Sequence, residues 1–319
     1  TEVPNAYNYG LNKVEAAYLP HEMAYPMRYV LDPSVIGTAE AQTIKAACKY
    51  DAIDLEQAEE IVELPVGAVI WATGWQPYPA EKIQPYGYGR VPNVITNVEM
   101  ECLAAMSGPT AGKIVRPSDG KAAKKIALIQ CAGSRDHNHL PYCSRICCLA
   151  SFKHATYVRE QYADAEVDIY YIDLRAHDKL EAFAVKVQAG DHVRMIKSKP
   201  AEIIAGEDGN PIVMGENTIA RELYAQAYDM VVLATGMQAS TAALSPPGGI
   251  DMDDYGFIVP EMEGGMISAG VAAGPPRLRG ADQRCWSGED QGTSHQLAQR
   301  SQGRGLCRLP DGPALCRNG

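Results

Sequence analysis

Cys131, Cys143, Cys147 and Cys148 stand in the order C-x11-C-x3-C-C, four of the chain's nine cysteines within eighteen residues. Sulfur at that density points to metal ligation or redox chemistry. A thiolate is the reactive and ligating form, and a helix start stabilises it because unpaired N–H groups and the positive dipole end favour negative charge. With a helix beginning at Ser144, Cys143 lies near the cap and Cys147 one turn further on the same face, while Cys148 points about 100° away. Cys131 leaves a preceding strand, in a loop that folds back toward the same helix start. Four sulfurs then converge on one space, which suits a four-thiolate iron–sulfur cubane. Arg135, His137, His139 and Arg145 lie in the same loop or first turn, where they either donate to sulfur or are solvated loop residues, the second being the expected role of His137 and His139.

Three other uses of the set stay open on spacing alone. Zinc with four thiolates favours paired C-x2–4-C knuckles, and one such pair is present. A redox disulfide between Cys143 and Cys147 or Cys148, or inert buried thiols, would use the same residues differently. Cys48 and Cys102 read as ordinary core or surface residues, and Cys285, Cys307 and Cys316 fall in an anomalous tail. A secreted disulfide framework would spread cysteines over a small chain, so the thiols imply a reducing, cytoplasmic setting. The start, Thr1 to Val30, lacks the charged-then-apolar order of a signal peptide, and no apolar run approaches the roughly 18 residues of a bilayer span. A net charge of −10 over 319 residues argues against a nucleic-acid surface and for protein or small-molecule partners. At 46% hydrophobic, the chain has material for two ordinary cores.

The elements that must position the cysteines follow from periodicity. Residues 1–49, rich in Tyr-Pro and Leu-Pro steps, read as a connecting arm of extended loops. Residues 52–74 read as two strand-like runs and then a buried strand, Ala68 to Trp71, ending in Ala72-Thr73-Gly74. Tyr86 to Asp119 reads as loop. Lys124 to Gln130 is a buried strand, Ser144 to Tyr162 a helix, Val167 to Ile172 a strand, Leu180 to Val187 a helix and Val193 to Ile196 a strand. That alternation implies parallel βαβ units in an α/β fold. Ala201 to Tyr224 reads as a hairpin leading into Tyr228 to Thr235 and a second Ala-Thr-Gly, Ala234 to Gly236, so the strand pair, buried strand and turn occur twice. Residues 275–319 contain no Ile, Val, Phe, Tyr, Met or Lys and cannot build a core. The stretch 276–319 is expected to be disordered, or the product of a shifted reading frame.

A dinucleotide-binding unit opens with G-x-G-x-x-G so that pyrophosphate rests on helix-start amides. Here the equivalent turn is Gln130-Cys131-Ala132-Gly133-Ser134-Arg135, with one of three glycines, so a cysteine occupies the phosphate-gripping position. Asp173, at the end of the second strand, stands where a ribose-binding acid would, but with the glycines gone it reads as a strand-end charge.

The strings YGYGRVPNVITNVEME, GPTAGKIVRPSDGK, IALIQCAGSRD, YCSRICCLAS, YYIDLRA and VVLATGM resemble the heterodisulfide reductase A-subunit family of flavoproteins. Within it they are most similar to the branch found in quinone-interacting membrane-bound oxidoreductase complexes of sulfate reducers. The resemblance runs from about Val3 to Pro275. It implies a two-dinucleotide-binding-domain flavoprotein-like fold, the first domain truncated at its N-terminus because the opening FAD-binding glycine loop is missing. Residues 1–121 would be connector and partial FAD-type domain, 122–236 the NAD-type βαβ domain with the cysteines, and 237–275 a return segment to the FAD-type domain. It further implies FAD, with Thr73, Gly74, Thr235, Gly236 and Gly270 on the flavin side, and a 4Fe-4S cluster on Cys131, Cys143, Cys147 and Cys148. The implied activity is electron transfer between a soluble sulfur-metabolism reductase and membrane quinone, through partner subunits that tether a cytoplasmic protein to the membrane. A pyridine-nucleotide disulfide reductase or a zinc-stabilised binding module are the alternatives.

Overall fold

A computed structural model describes residues 1–58, 61–176, 180–243, 250–259 and 265–275. They fall into two compact units, Thr1–Pro65 and the residues from Val66 on. The 276–319 tail lies outside the described residues, and so does the expectation made for it.

The first unit is more regular than a connecting arm. Strand β1 (Glu2–Pro4) pairs antiparallel with β2 (Lys13–Glu15), Val3 opposite Val14. Strand β3 (Ala17–Tyr18) pairs with β4 (Val30–Leu31), and helix α1 (Ala39–Ala47) follows. Val3, Ala16 and Val35 form its small core, with Ile44 of α1 packed against them. The prolines fall where order needs no backbone donor: Pro33 opens a single turn capped by Asp32, whose carboxylate accepts the Ser34 N–H at 2.9 Å. The described part of residues 52–65 forms no strand, unlike the expectation: its pairing is limited to a single bridge at Ile53.

The second unit is built on five parallel strands in the order β10-β9-β8-β14-β7. In chain order the elements are β5 (Val69–Trp71), β6 (Trp75–Pro77), β7 (Val94–Thr96), α2 (Asn97–Ala104), β8 (Lys125–Ala132), α3 (Cys147–Gln161), β9 (Glu166–Tyr171), α4 (Glu181–Gln188) and β10 (Val193–Lys197). A meander of β11 (Glu202–Ala205), β12 (Pro211–Asn217) and β13 (Glu222–Ala227) comes next. It leads into β14 (Met230–Thr235), β15 (Met237–Ala239) and β16 (Met266–Ser268). Strand β8 reads KIALIQCA with seven of eight residues buried, a run without alternation because both its faces are covered. Helix α3 covers one face with Phe152, Ala155 and Val158. The meander covers the other, setting Ile203, Val213 and Tyr228 on Ala127, Ile129, Val231 and Leu233. Each large side chain so buried contributes about 1.5–3 kcal/mol. The expected hairpin at 201–224 is thus one strand longer, and its task is to roof the sheet.

The loop expected over Tyr86 to Asp119 contains β7 and α2. Strand β7 pairs parallel with β14, and its three residues are too few to show a period. Helix α2 starts on a capping box, Thr96-x-x-Glu99. The Thr96 hydroxyl accepts the Glu99 N–H at 3.3 Å, and the Glu99 carboxylate accepts the Thr96 N–H at 2.6 Å. Thr96→Ala is expected to cost about 0.5–2 kcal/mol, read as a lower midpoint of urea unfolding.

Strand order reverses at β8, with β9 on one side and β14 on the other. At such a switch point the loops leaving the two strand ends part, and a crevice opens beyond their carboxyl ends. Cys131 and Thr235 are at those two ends.

Strand β5 was expected to be buried, and it is not. Among the described residues it pairs only with β16, in parallel, and Ile70 is 59% exposed.

Candidate functional site

Cys131 sits near the end of β8 with φ +56, beside a register shift between β8 and β14 at Leu233/Thr235. The irregularity takes residue 131 out of the pleat. From Gly133 the chain makes a self-bonded loop: the Leu140 N–H donates to the Gly133 carbonyl at 3.0 Å and the Arg135 N–H to the Tyr142 carbonyl at 3.0 Å. Lys199 anchors the loop from outside through Asp136 at 2.7 Å.

The helix does not begin at Ser144. Arg145 has φ +64, which an α-helix does not admit, and the Ser144 hydroxyl accepts the Met237 N–H at 2.8 Å. Residues 143–146 are therefore a turn, and α3 starts at Cys147 without a side-chain cap. Cys147 and Cys148 occupy the first helical turn, where N–H groups lack intrahelical partners. Cys143 lies in the turn before it.

All four predicted cysteines line one pocket, together with Ser134, Arg135, Ser144, Arg145, Asp173 and Arg175. In the protein as it stands the sulfurs have protein partners. The Cys147 thiol donates to the Thr235 carbonyl at 3.6 Å, and Cys143 Sγ accepts the Arg145 N–H at 3.3 Å. Among the described residues no three His, Cys, Asp or Glu side chains stand in metal-holding geometry. The donor set fits a four-thiolate cluster in kind, number and common pocket, and ligation requires the sulfurs to turn inward from these partners.

His137 and His139 do not line the pocket, in keeping with their reading as loop residues and against donation to sulfur. His139 Nδ1 instead bonds the Tyr78 hydroxyl at 2.9 Å. Arg135 and Arg145 are at the pocket, and Arg175 joins them from beyond β9, a contribution missed in the sequence because only the fold brings that strand end alongside.

Burial pushes the Cys131 thiol from 9.0 up to about 11, with Cys148 and Cys143 adding to it and Arg135 opposing. Burial likewise raises Cys147 and Cys148, the latter opposed by the Arg175 backbone N–H. A raised folded-state pKa means that the folded chain holds these protons more tightly than the unfolded one. The stability this provides is fully present below about pH 9 and is lost as pH rises through about 11. The metal-free protein should accordingly lose urea midpoint steeply between pH 9 and 11. A flat profile there would remove the case for buried neutral thiols.

The second Ala-Thr-Gly turn meets the cysteine loop. Thr235 is fully buried and its hydroxyl donates to Asn97 Oδ1 at 3.0 Å. A Cβ on Gly236 would stand 2.0 Å from Ser134 Oγ and 2.8 Å from Leu140 Cδ1. Only glycine lets β14 approach this closely. The first turn differs: Thr73 is exposed, and Gly74 (φ +68) and Gly270 (φ +60) have open space where a Cβ would be. These two glycines follow the carboxyl ends of parallel β5 and β16. Beneath them the paired residues Trp71 and Ser268 leave Nε1 and Oγ buried without partners. Orphaned polar atoms under an open glycine rim fit a polar ligand such as a flavin.

Curated proteins with similar sequences are consistent in kind. The A subunit of the ferredoxin/F(420)H(2)-dependent CoB-CoM heterodisulfide reductase of Methanosarcina acetivorans is 40% identical over 245 residues, 76% of this chain. The second iron-sulfur A subunit of the CoB–CoM heterodisulfide reductase of Methanopyrus kandleri is 42% identical over 239 residues, 74% of this chain. The A subunit of the H(2):CoB-CoM heterodisulfide,ferredoxin reductase of Methanothermobacter marburgensis is 36% identical over 288 residues, 86% of this chain. The chain belongs to the heterodisulfide reductase A-subunit family. It spans 30%, 36% and 43% of the length of these three relatives, respectively. No family model matches it. Among solved structures, Lactococcus lactis thioredoxin reductase is similar at TM-score 0.42 and 17% identity, over 73% of this heterodisulfide reductase-type chain and 66% of that one. No helix among the described residues of this family member is long and apolar enough to cross a membrane.

Proposed function

We propose that this chain is part of a flavin and iron–sulfur electron-transfer subunit of an oxidoreductase complex, with Cys131, Cys143, Cys147 and Cys148 as cluster ligands. The observation that carries it is the pocket at the switch point, where a dinucleotide domain would grip phosphate and four cysteines meet instead. Two supporting features come from the fold: the uncapped start of α3 and the arginines at the rim both favour negative charge on sulfur. Thr73, Gly74 and Gly270 are proposed for the flavin side, on the open rim above Trp71 and Ser268. Thr235 and Gly236 are proposed to hold the cysteine loop against β14, between cluster and flavin.

When bound, FAD and a 4Fe-4S cluster supply one- and two-electron chemistry that no side chain offers. The chain's own work is to hold them apart from water and set their potentials. The subunit is cytoplasmic and works with other subunits of a redox complex. The finer relay, from a soluble sulfur-metabolism reductase to membrane quinone with peripheral attachment through partners, draws its support from the sequence strings. The curated relatives are named for methanogen heterodisulfide reduction.

The test is an anaerobic purification followed by iron, sulfide, zinc and flavin analysis, an NAD(P)H oxidation assay, and electron paramagnetic resonance after dithionite reduction. Iron and sulfide near four each per chain with a reducible signal is the expected result. Stoichiometric zinc without sulfide would replace this function by a zinc-stabilised module.

A further inference from the structure

The acid that a dinucleotide domain uses at the end of its second strand has a different task here. Asp173 Oδ1 accepts Arg135 Nη1 at 2.5 Å and Arg175 Nε at 3.3 Å. One carboxylate thus ties together an arginine from the β8 loop and one from beyond β9, and all three side chains line the cysteine pocket. Arg135 holds φ +56, a left-handed backbone costing a non-glycine residue roughly 1–2 kcal/mol, so its direction is imposed and not relaxed. The Arg135 side chain is 23% exposed and that of Asp173 47%, so the guanidinium faces inward while much of the carboxylate's own charge is screened by water. The sulfurs feel all three side chains: Arg135 opposes the rise of the Cys131 pKa, the Arg175 guanidinium interacts with Cys143 and Cys131, and Asp173 adds to the rise at Cys148.

We infer that Asp173 is a positioning residue that holds Arg135 and Arg175 toward the four-cysteine pocket and thereby raises the reduction potential of the group bound there. The inference rests on the proposed cluster ligation. Its sign separates it from simple electrostatics. Removing a nearby negative charge alone favours the reduced state and raises the potential; releasing two guanidinium groups from the pocket lowers it, and two charges then leave for the one removed, Arg135 being the most enclosed of the three and Arg175 41% exposed.

The experiment is an anaerobic redox titration of the cluster-loaded protein, followed by electron paramagnetic resonance, for wild type, Asp173→Asn, Asp173→Glu, Arg135→Gln and the Asp173→Asn/Arg135→Gln double variant. Asp173→Asn and Arg135→Gln are each expected to lower the midpoint potential. The double variant should fall no further than the sum of its parts and visibly short of it, and Asp173→Glu, which keeps the carboxylate, should lie nearest wild type. A potential raised or unchanged in Asp173→Asn, or strictly additive shifts, overturns the positioning role. If Asp173→Asn does not retain the cluster, the Asp173→Glu and Arg135→Gln pair decides the matter: equal shifts in both overturn it. A wild-type protein with no cluster signal defeats the proposed function itself, and that outcome is read before any variant is made.

Discussion

Cys147→Ser empties the pocket of iron: the anaerobically purified variant is expected to lose about four iron atoms per chain and the reduced-state paramagnetic signal with them. The expectation is large because of where the sulfur sits. Cys147 is 6% exposed, in the first turn of α3, with the Thr235 carbonyl as its partner across the crevice, so the helix start fixes where its sulfur lies. A serine hydroxyl keeps its proton where a thiol loses one to a metal, and ligation requires the deprotonated donor. Cys48→Ser is the control, since Cys48 does not line the pocket, and it should leave iron and signal at wild-type levels. Equal loss in both variants, or full retention in Cys147→Ser, would move the ligand set elsewhere.

Gly133→Ala is expected to destabilise the fold by about 2–5 kcal/mol, the sum of two separable effects. Gly133 has φ +72, where an alanine is strained by roughly 1–2 kcal/mol. Its added Cβ would also stand 2.8 Å from Tyr78 Cδ1 and 2.9 Å from Ile83 Cδ1, both in the buried core. Neither can retreat, because Tyr78 is fixed at its N–H to the Gly236 carbonyl (2.8 Å) and at its hydroxyl to His139. Gly209→Ala isolates the first effect, since Gly209 has φ +78 with nothing within 4 Å of the added carbon. Urea unfolding should therefore place Gly133→Ala below Gly209→Ala by about 1–3 kcal/mol. Equal midpoints would mean that the Tyr78 side of the loop is loosely packed, and the rigid positioning of Cys131 would lose its basis.

What could be read from residues alone was the periodic part of the chain. The runs at 124–130, 167–172 and 193–196 became β8, β9 and β10 within one or two residues; β8 was the plainest because a strand covered on both faces is continuously apolar and needs no context to be seen. The cysteine spacing named the candidate ligands, and the missing glycines at 131–135 told against a phosphate-gripping turn. The stretch 86–119 was read as loop and so hid β7 and α2, because a three-residue strand is too short to carry a period.

Tertiary structure decided the rest, and for a common reason: the deciding interactions join residues far apart in sequence. The start of α3 moved from Ser144 to Cys147 because residue 237, on another strand, takes the Ser144 hydroxyl. Thr235 and Gly236 went to the cysteine loop and not to an open rim because the strand order sets β14 beside β8, a fact no local pattern carries. Arg175 and Asp173 reached the pocket for the same reason, while His139 bonds Tyr78, a residue far from it in sequence. Residue types determined which atoms this protein has for electron chemistry; the parallel sheet, by bringing three strand ends together, determined which of them share a space.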